Sequence, residues 1–189
     1  MVEFFQNLEG EDWKLVWSDE FDGTSIDPNN WEHMIGDGTA YGIPGWGNNE
    51  LQWYLEDSAE LRDGKLVITA REESVSGKNY TSARINTRDR FAFRYGRIEA
   101  SIRLPGGQGI WPAFWLLGDD IATEGWPQCG EIDIMEYRGQ EPNQANGALH
   151  GPGYSAAAAI SGTQSTKWCT VPAGRCSDLP CPARSSATR

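Results

Sequence analysis

An all-β fold, two antiparallel sheets packed as a sandwich or jelly roll, is the class this sequence predicts, and three observations predict it. Turn-forming residues recur along the whole body, with 22 Gly and 10 Pro among 189 residues. Few windows hold apolar residues at helical spacing over three turns. Short β-branched or aromatic runs, bounded by Gly, Asp or Pro, recur instead, which is the rhythm of antiparallel strands and not of βαβ units.

The elements follow in order. Residues 65–71 (KLVITAR) and 80–87 read as strands with turn signals on both sides. Residues 97–104 give the cleanest alternation, with Arg97, Glu99, Ser101 and Arg103 on one face and Ile98, Ala100, Ile102 and Leu104 on the other. Residues 110–117, 131–137 and 145–150 complete the set. No repeat or linker interrupts the chain before residue 160.

Composition removes several functions. There are 27 acidic residues against 16 Lys and Arg, a formal charge of −11, and no basic run. A partner held by its phosphates, or an anionic membrane surface, is therefore excluded. No run of eighteen apolar residues occurs, and residues 1–17 lack the basic and apolar segments of an export signal. A content of 39% hydrophobic and 11% aromatic residues is too rich for a disordered chain.

The end of the chain differs from the body. Three of the four cysteines, Cys169, Cys176 and Cys181, lie within residues 166–189, together with Pro172, Pro180 and Pro182. Their spacing fits no zinc pattern, and the two histidines are distant. No metal site is predicted. The tail reads either as a disordered end or as coding sequence out of frame, which the other two reading frames would reveal.

Residues 130–137 read Gly-Glu-Ile-Asp-Ile-Met-Glu-Tyr. In a strand, Glu131 and Asp133 share one face, and Ile132 and Ile134 the other. Glu136 breaks the alternation, because regular pleating would point it into the core, where an unpaired carboxylate costs several kcal/mol. A β-bulge at Met135 returns it to the Glu131/Asp133 face. The outer Cα atoms would then lie about 13 Å apart. With both glutamates leaning inward, their carboxyls come within about 5 to 6 Å, the separation found in retaining glycosidases. Three solvated acids on an exposed strand would look the same in sequence, but crowding three like charges raises at least one pKa, and a merely wet face gains nothing from that.

Tryptophan decides between these readings. In 109–117 (GIWPAFWLL), Trp111, Ala113 and Trp115 share a face opposite Phe114 and Leu116. Indoles stack on the C–H faces of sugars, while carboxylates and amides take their hydroxyls. Trp46 and Trp126 sit in Gly/Pro-rich turns (GIPGWGNNE and EGWPQ), and both are expected at the rim of a cleft rather than in the core.

The segments WSDEFDG (17–23), GWGNNELQWY (45–54), YTSARINT (80–87), YGRIEASIRLPGGQGIWPAFWLLG (95–118) and GWPQCGEIDIMEYRG (125–139) resemble glycoside hydrolase family 16, in its laminarinase branch of endo-β-1,3-glucanases. The likeness runs in matching order from about residue 15 to 151. It implies a concanavalin A-like jelly roll whose concave face holds the substrate. It also implies that Glu131 is the nucleophile, Asp133 its assistant and Glu136 the acid/base. The resemblance further gives Asn48, Arg84, Trp111, Trp115, Trp126 and His150 as substrate-binding residues. It keeps open that Asn48 only shapes a turn, that Arg84 only pairs an acid, and that His150 is an ordinary surface histidine. Relatives cleaving mixed-linked glucan or xyloglucan typically lack the bulge residue, whereas laminarinases, agarases and carrageenases keep it. No basic cluster suited to sulfate esters lies near the motif, so a neutral glucan is implied.

Further expectations come with the resemblance. Catalysis needs no cofactor. A structural Ca²⁺ occurs in parts of the family, and Glu20 matches one of its contributors, but the usual carboxylate partner lies on a last strand that this chain is expected to lack. The domain is read as 1–165, a partial jelly roll, followed by the atypical tail at 166–189. An extracellular or periplasmic monomer acting on β-1,3-glucan is implied. The alternatives are a β-glucan-binding protein without catalysis and an inactive fragment.

Overall fold

The computed structural model describes residues 1–7, 12–161 and 171–173, with side chains described for 1–7 and 12–155. Strand β1 is Val2–Gln6 and β2 is Lys14–Asp19. Seven short strands follow: β3 (Glu32–His33), β4 (Gln52–Tyr54), β5 (Ala59–Leu61), β6 (Leu66–Ile68), β7 (Arg71–Val75), β8 (Lys78–Ser82) and β9 (Ile85–Asn86). Longer strands come next: β10 (Gly96–Ala100), β11 (Ala113–Leu117), β12 (Glu131–Tyr137), β13 (Gln144–Gly151) and β14 (Tyr154–Ser161), with β15 (Val171–Ala173) last. Among the described residues the one α-helix, α1, is a single turn at Ile121–Glu124, so the all-β expectation holds. The reading of residues 166–189 as an atypical tail lies outside the described residues except at β15.

The chain divides into two compact units. One comprises Asp19–Ala92 with Met1, and the other Val2–Ser18 with Phe93–Arg189.

In the first unit the strands are short because turns interrupt them every few residues. Phe21 stacks on Trp31 at 5.8 Å between ring centroids. Asp19 fixes both, accepting from the Phe21 backbone N–H at 2.8 Å and from Trp31 Nε1 at 2.8 Å. Strand β4 pairs with β8 in parallel, against the antiparallel expectation. The long connection through β5, β6 and β7 supplies the crossover that a parallel pair needs.

In the second unit the sheets run β15-β10-β1-β2 and β11-β12-β13-β14. Alternation along β10 buries Ile98 and Ala100, as the sequence predicts. Pairing with the described strands ends at Ala100, so the expected strand at 97–104 is half as long: residues 101–105 run on to Gly106 and Gly107 without a ladder partner among the described strands. Phe4, wholly buried on β1, packs on Phe93 with centroids 4.0 Å apart. Its burial contributes about 2 kcal/mol. Gly96 makes this possible, since a Cβ there would lie 2.3 Å from the Phe4 ring and 2.6 Å from the Phe5 carbonyl oxygen. The predicted strand at 80–87 is also split, into β8 and β9, while 65–71 is cut to β6 and the first residue of β7.

Gly96→Ala is expected to displace Phe4 and destabilise the chain by about 1 to 3 kcal/mol. Thermal unfolding against Gly106→Ala, where the added methyl meets open space, checks this: the first should melt lower and the second should not.

Candidate active site

The site is built on β12, whose pattern departs from simple alternation at one place. Against β13, Asp133 pairs with Ala148 and Glu136 with Asn146, so three steps on β12 oppose two on its neighbour. Against β11, Met135 pairs with Phe114 and Asp133 with Trp115, two steps against one. One extra residue is therefore accommodated at Ile134–Met135. Both of these side chains are buried, at 2% and 7% exposure, which consecutive residues of a regular strand could not achieve while leaving Glu136 half-exposed. The bulge expected from the sequence is present.

Its effect is to put Glu131, Asp133 and Glu136 in one row. Their cross-strand partners on β11 are Leu117, Trp115 and Ala113. On β13 they are His150, Ala148 and Asn146. Glu131, Asp133, Glu136, Trp115 and His150 thus lie on the same face of one four-stranded sheet.

Each glutamate holds an indole. Trp126 Nε1 donates to Glu131 Oε2 at 2.8 Å, and Trp111 Nε1 donates to Glu136 Oε1 at 3.1 Å. Both indoles are exposed. Trp126 comes from the β11–β12 connection, which a backbone bond from Gly118 to the Gly130 carbonyl closes. Trp111 precedes β11, and the Gly139 N–H to Ile110 carbonyl bond ties its loop to the end of β12. A Cβ at Gly139 would sit 1.6 Å from the Gly107 carbonyl oxygen, so glycine is needed for that approach.

Asp133 lies between the two glutamates and is the buried member of the row. Burial, then the charges of Glu131 and Glu136, then a hydrogen bond with Glu131 push its pKa from the ordinary 3.8 up to about 8. Near neutral pH it is therefore a proton-bearing acid. His150 Nε2 lies 3.2 Å from Asp133 Oδ2, and its Nδ1 lies 2.8 Å from Ser155 Oγ. The His150 ring is 5.8 Å from that of Trp126. Glu131, Asp133 and His150 also bring ligand atoms within 4.8 Å of one another, close enough for a cation.

The other predicted residues lie in the first unit. Asn48 Nδ2 donates to Glu50 Oε1 at 3.5 Å, and Tyr54 Oη donates to Glu50 Oε2 at 2.7 Å. Burial first, then the Glu50 charge, raise the Tyr54 pKa. The Arg84 guanidinium sits 4.7 Å above the Trp46 ring. Trp46 itself corrects the expectation of a cleft-rim indole. It is 4% exposed, packs between Tyr41 and Tyr54 at 5.2 Å from each, and donates Nε1 to the Gly36 carbonyl. Flanking glycines let the turn fold inward around the indole, so turn composition alone did not reveal its burial. Sequence reading also missed Ser155 and Asn146, which cross-strand register alone places beside His150 and Glu136.

Two glutamates flanking an aspartate on one strand of an antiparallel sheet, with indoles at both ends, is the layout of a two-carboxylate glycoside hydrolase. The fold agrees: the chain is 48% identical to the laminarinase catalytic domain of Thermotoga maritima, TM-score 0.79, covering 84% of this chain and 68% of that one. It is 30% identical to a non-specific endo-β-1,3(4)-glucanase of family GH16, TM-score 0.72, over 86% of this chain and 64% of that one. The chain belongs to glycoside hydrolase family 16, with the jelly-roll fold of its laminarinases. It is also 42% identical over 169 residues to the β-glucanase of Rhodothermus marinus, which covers 86% of this chain and 56% of that protein. The chain thus spans little more than half the length of this curated relative. Residues 2–131 match the family described as "Beta-glucan synthesis-associated protein SKN1/KRE6/Sbg1".

The raised pKa of Asp133 has a stability consequence. Between about pH 4 and 8 the folded chain holds a proton that the unfolded chain has released, so this group's contribution is full at acid pH and is lost as pH rises toward 8. Asp133→Asn is expected to reduce the fall in Tm between acid and mildly alkaline buffers. Melting curves across that range check it; an unchanged pH slope contradicts it.

Proposed function

We propose that this chain carries the catalytic centre of a retaining endo-β-1,3-glucanase acting on neutral, laminarin-type glucan. The observation that carries this reading is the bulge of β12, which brings Glu131, Asp133 and Glu136 to one face with an indole on each glutamate. A solvated strand has no use for a buried aspartic acid between two carboxylates.

The chemistry follows from these positions. Glu136 gives its proton to the glycosidic oxygen as the C1–O bond breaks, and a Glu131 oxygen bonds to C1 from the opposite side. Water then attacks C1, Glu136 takes its proton, and the glycosyl–Glu131 bond breaks. Asp133, as a neutral acid, donates to Glu131 without adding a negative charge beside the nucleophile. Trp111, Trp115 and Trp126 present aromatic faces to sugar rings. The indole N–H bonds to the glutamates keep both carboxyls oriented until the substrate enters.

An extracellular or periplasmic site of action is part of this proposal, as a polymeric glucan must be met outside the cytoplasm. No helix among the described residues is long and apolar enough to cross a membrane.

Reducing ends released from laminarin, lichenan and agarose test the reading, with laminarin expected to be the best substrate. Proton NMR of early product should show the β-anomer first; the α-anomer first would exclude double displacement. Glu136→Gln should slow laminarin hydrolysis by about 100- to 10,000-fold, and a full rate in that variant would remove Glu136 from the mechanism.

A further inference from the structure

Glu131, His150 and Ser155 form a row across three adjacent strands, because Glu131 pairs with His150 and His150 with Ser155. Along it the polar atoms are in contact. Ser155 Oγ reaches His150 Nδ1 at 2.8 Å, and His150 Nε2 reaches Asp133 Oδ2 at 3.2 Å. Asp133 in turn is hydrogen-bonded to Glu131.

Proton counting gives this line a direction. A hydrogen bond between two carboxyls requires a proton on one of them, and burial between two glutamates assigns it to Asp133. With that proton given to Glu131, Asp133 presents Oδ2 to His150 as an acceptor. A neutral imidazole has one N–H and one bare nitrogen, and the partner of one nitrogen sets the state of the other. With Nε2–H donating to Asp133, Nδ1 is bare and needs a donor. The Ser155 hydroxyl is that donor, since it rotates freely and can give or accept.

We propose that Ser155 is a positioning residue that holds His150 in its Nε2–H tautomer, so that His150 donates to Asp133 and Asp133 donates to the nucleophile Glu131. Each link has one donor and one acceptor, and every donor points toward Glu131. Without the hydroxyl, His150 is free to carry its proton on Nδ1. A bare Nε2 then competes with Glu131 for the Asp133 proton, and the nucleophile loses its orienting donor. Ser155 is exposed and touches no predicted glucan-stacking residue in the described contacts, so its effect is on turnover and not on binding. The kinetic part of this inference rests on the glucanase reading; the tautomer does not.

The test compares the full chain with Ser155→Ala and Ser155→Thr. Long-range ¹H–¹⁵N correlation of the histidine side chains should show bare Nδ1 and protonated Nε2 at His150 in the unsubstituted chain and in Ser155→Thr, and a mixture of tautomers in Ser155→Ala. On laminarin, Ser155→Ala should lose about five- to tenfold in kcat at unchanged KM, the loss of one orienting hydrogen bond, and Ser155→Thr should restore it. Melting temperatures should match throughout. An Nδ1–H imidazole in the unsubstituted chain, or an unchanged kcat in Ser155→Ala, overturns the proposal. If the unsubstituted chain cleaves no glucan, the glucanase reading falls, and the His150 spectra alone still decide the tautomer.

Discussion

One extra residue in one strand governs this structure. A regular seven-residue β12 would send Glu136 into the interior and turn Tyr137 outward. The bulge at Ile134–Met135 instead gives two consecutive side chains to the core, leaves Tyr137 1% exposed and returns Glu136 to the face of Glu131 and Asp133. Core and site are satisfied by the same irregularity. Removing it would place a carboxylate on the buried face of Ile132 and Ile134, at a cost of several kcal/mol.

The surroundings serve that row. Strands β11 and β13 flank β12 and offer Trp115 and His150 on the same face. The two loops that end near the strand deliver one indole each, held by backbone bonds at Gly118 and Gly139. Crowding has an electrostatic product as well, because the central carboxyl, most buried and flanked on both sides by charge, keeps its proton. A single bulge therefore brings three chemically similar side chains to one face and leaves the central one a neutral donor between two glutamates.

Much of this was legible in the sequence, for identifiable reasons. The mismatch between Glu136 and a period of two predicted the bulge, and 131–137 coincides with β12. Trp126, between Gly and Pro, is exposed as expected. Other features depend on contacts that no local pattern encodes. Trp46 has the same turn composition as Trp126 but is buried between two tyrosines distant from each other in sequence. The alternation at 97–104 continues beyond Ala100, where pairing with the described strands ends, so pattern overestimated that strand. Ser155 carries no signal of its own, and only the β13–β14 register brings it to His150.

The account depends on Asp133 being a neutral acid between two glutamates. Carbon-13 NMR of the full chain labelled at aspartate side-chain carboxyls, titrated from acid to alkaline pH, measures this most directly. One resonance, assigned by its loss in Asp133→Asn, should remain that of a protonated carboxyl at neutral pH and titrate near 8. An Asp133 resonance that titrates with the ordinary surface aspartates, near 4, would contradict the account.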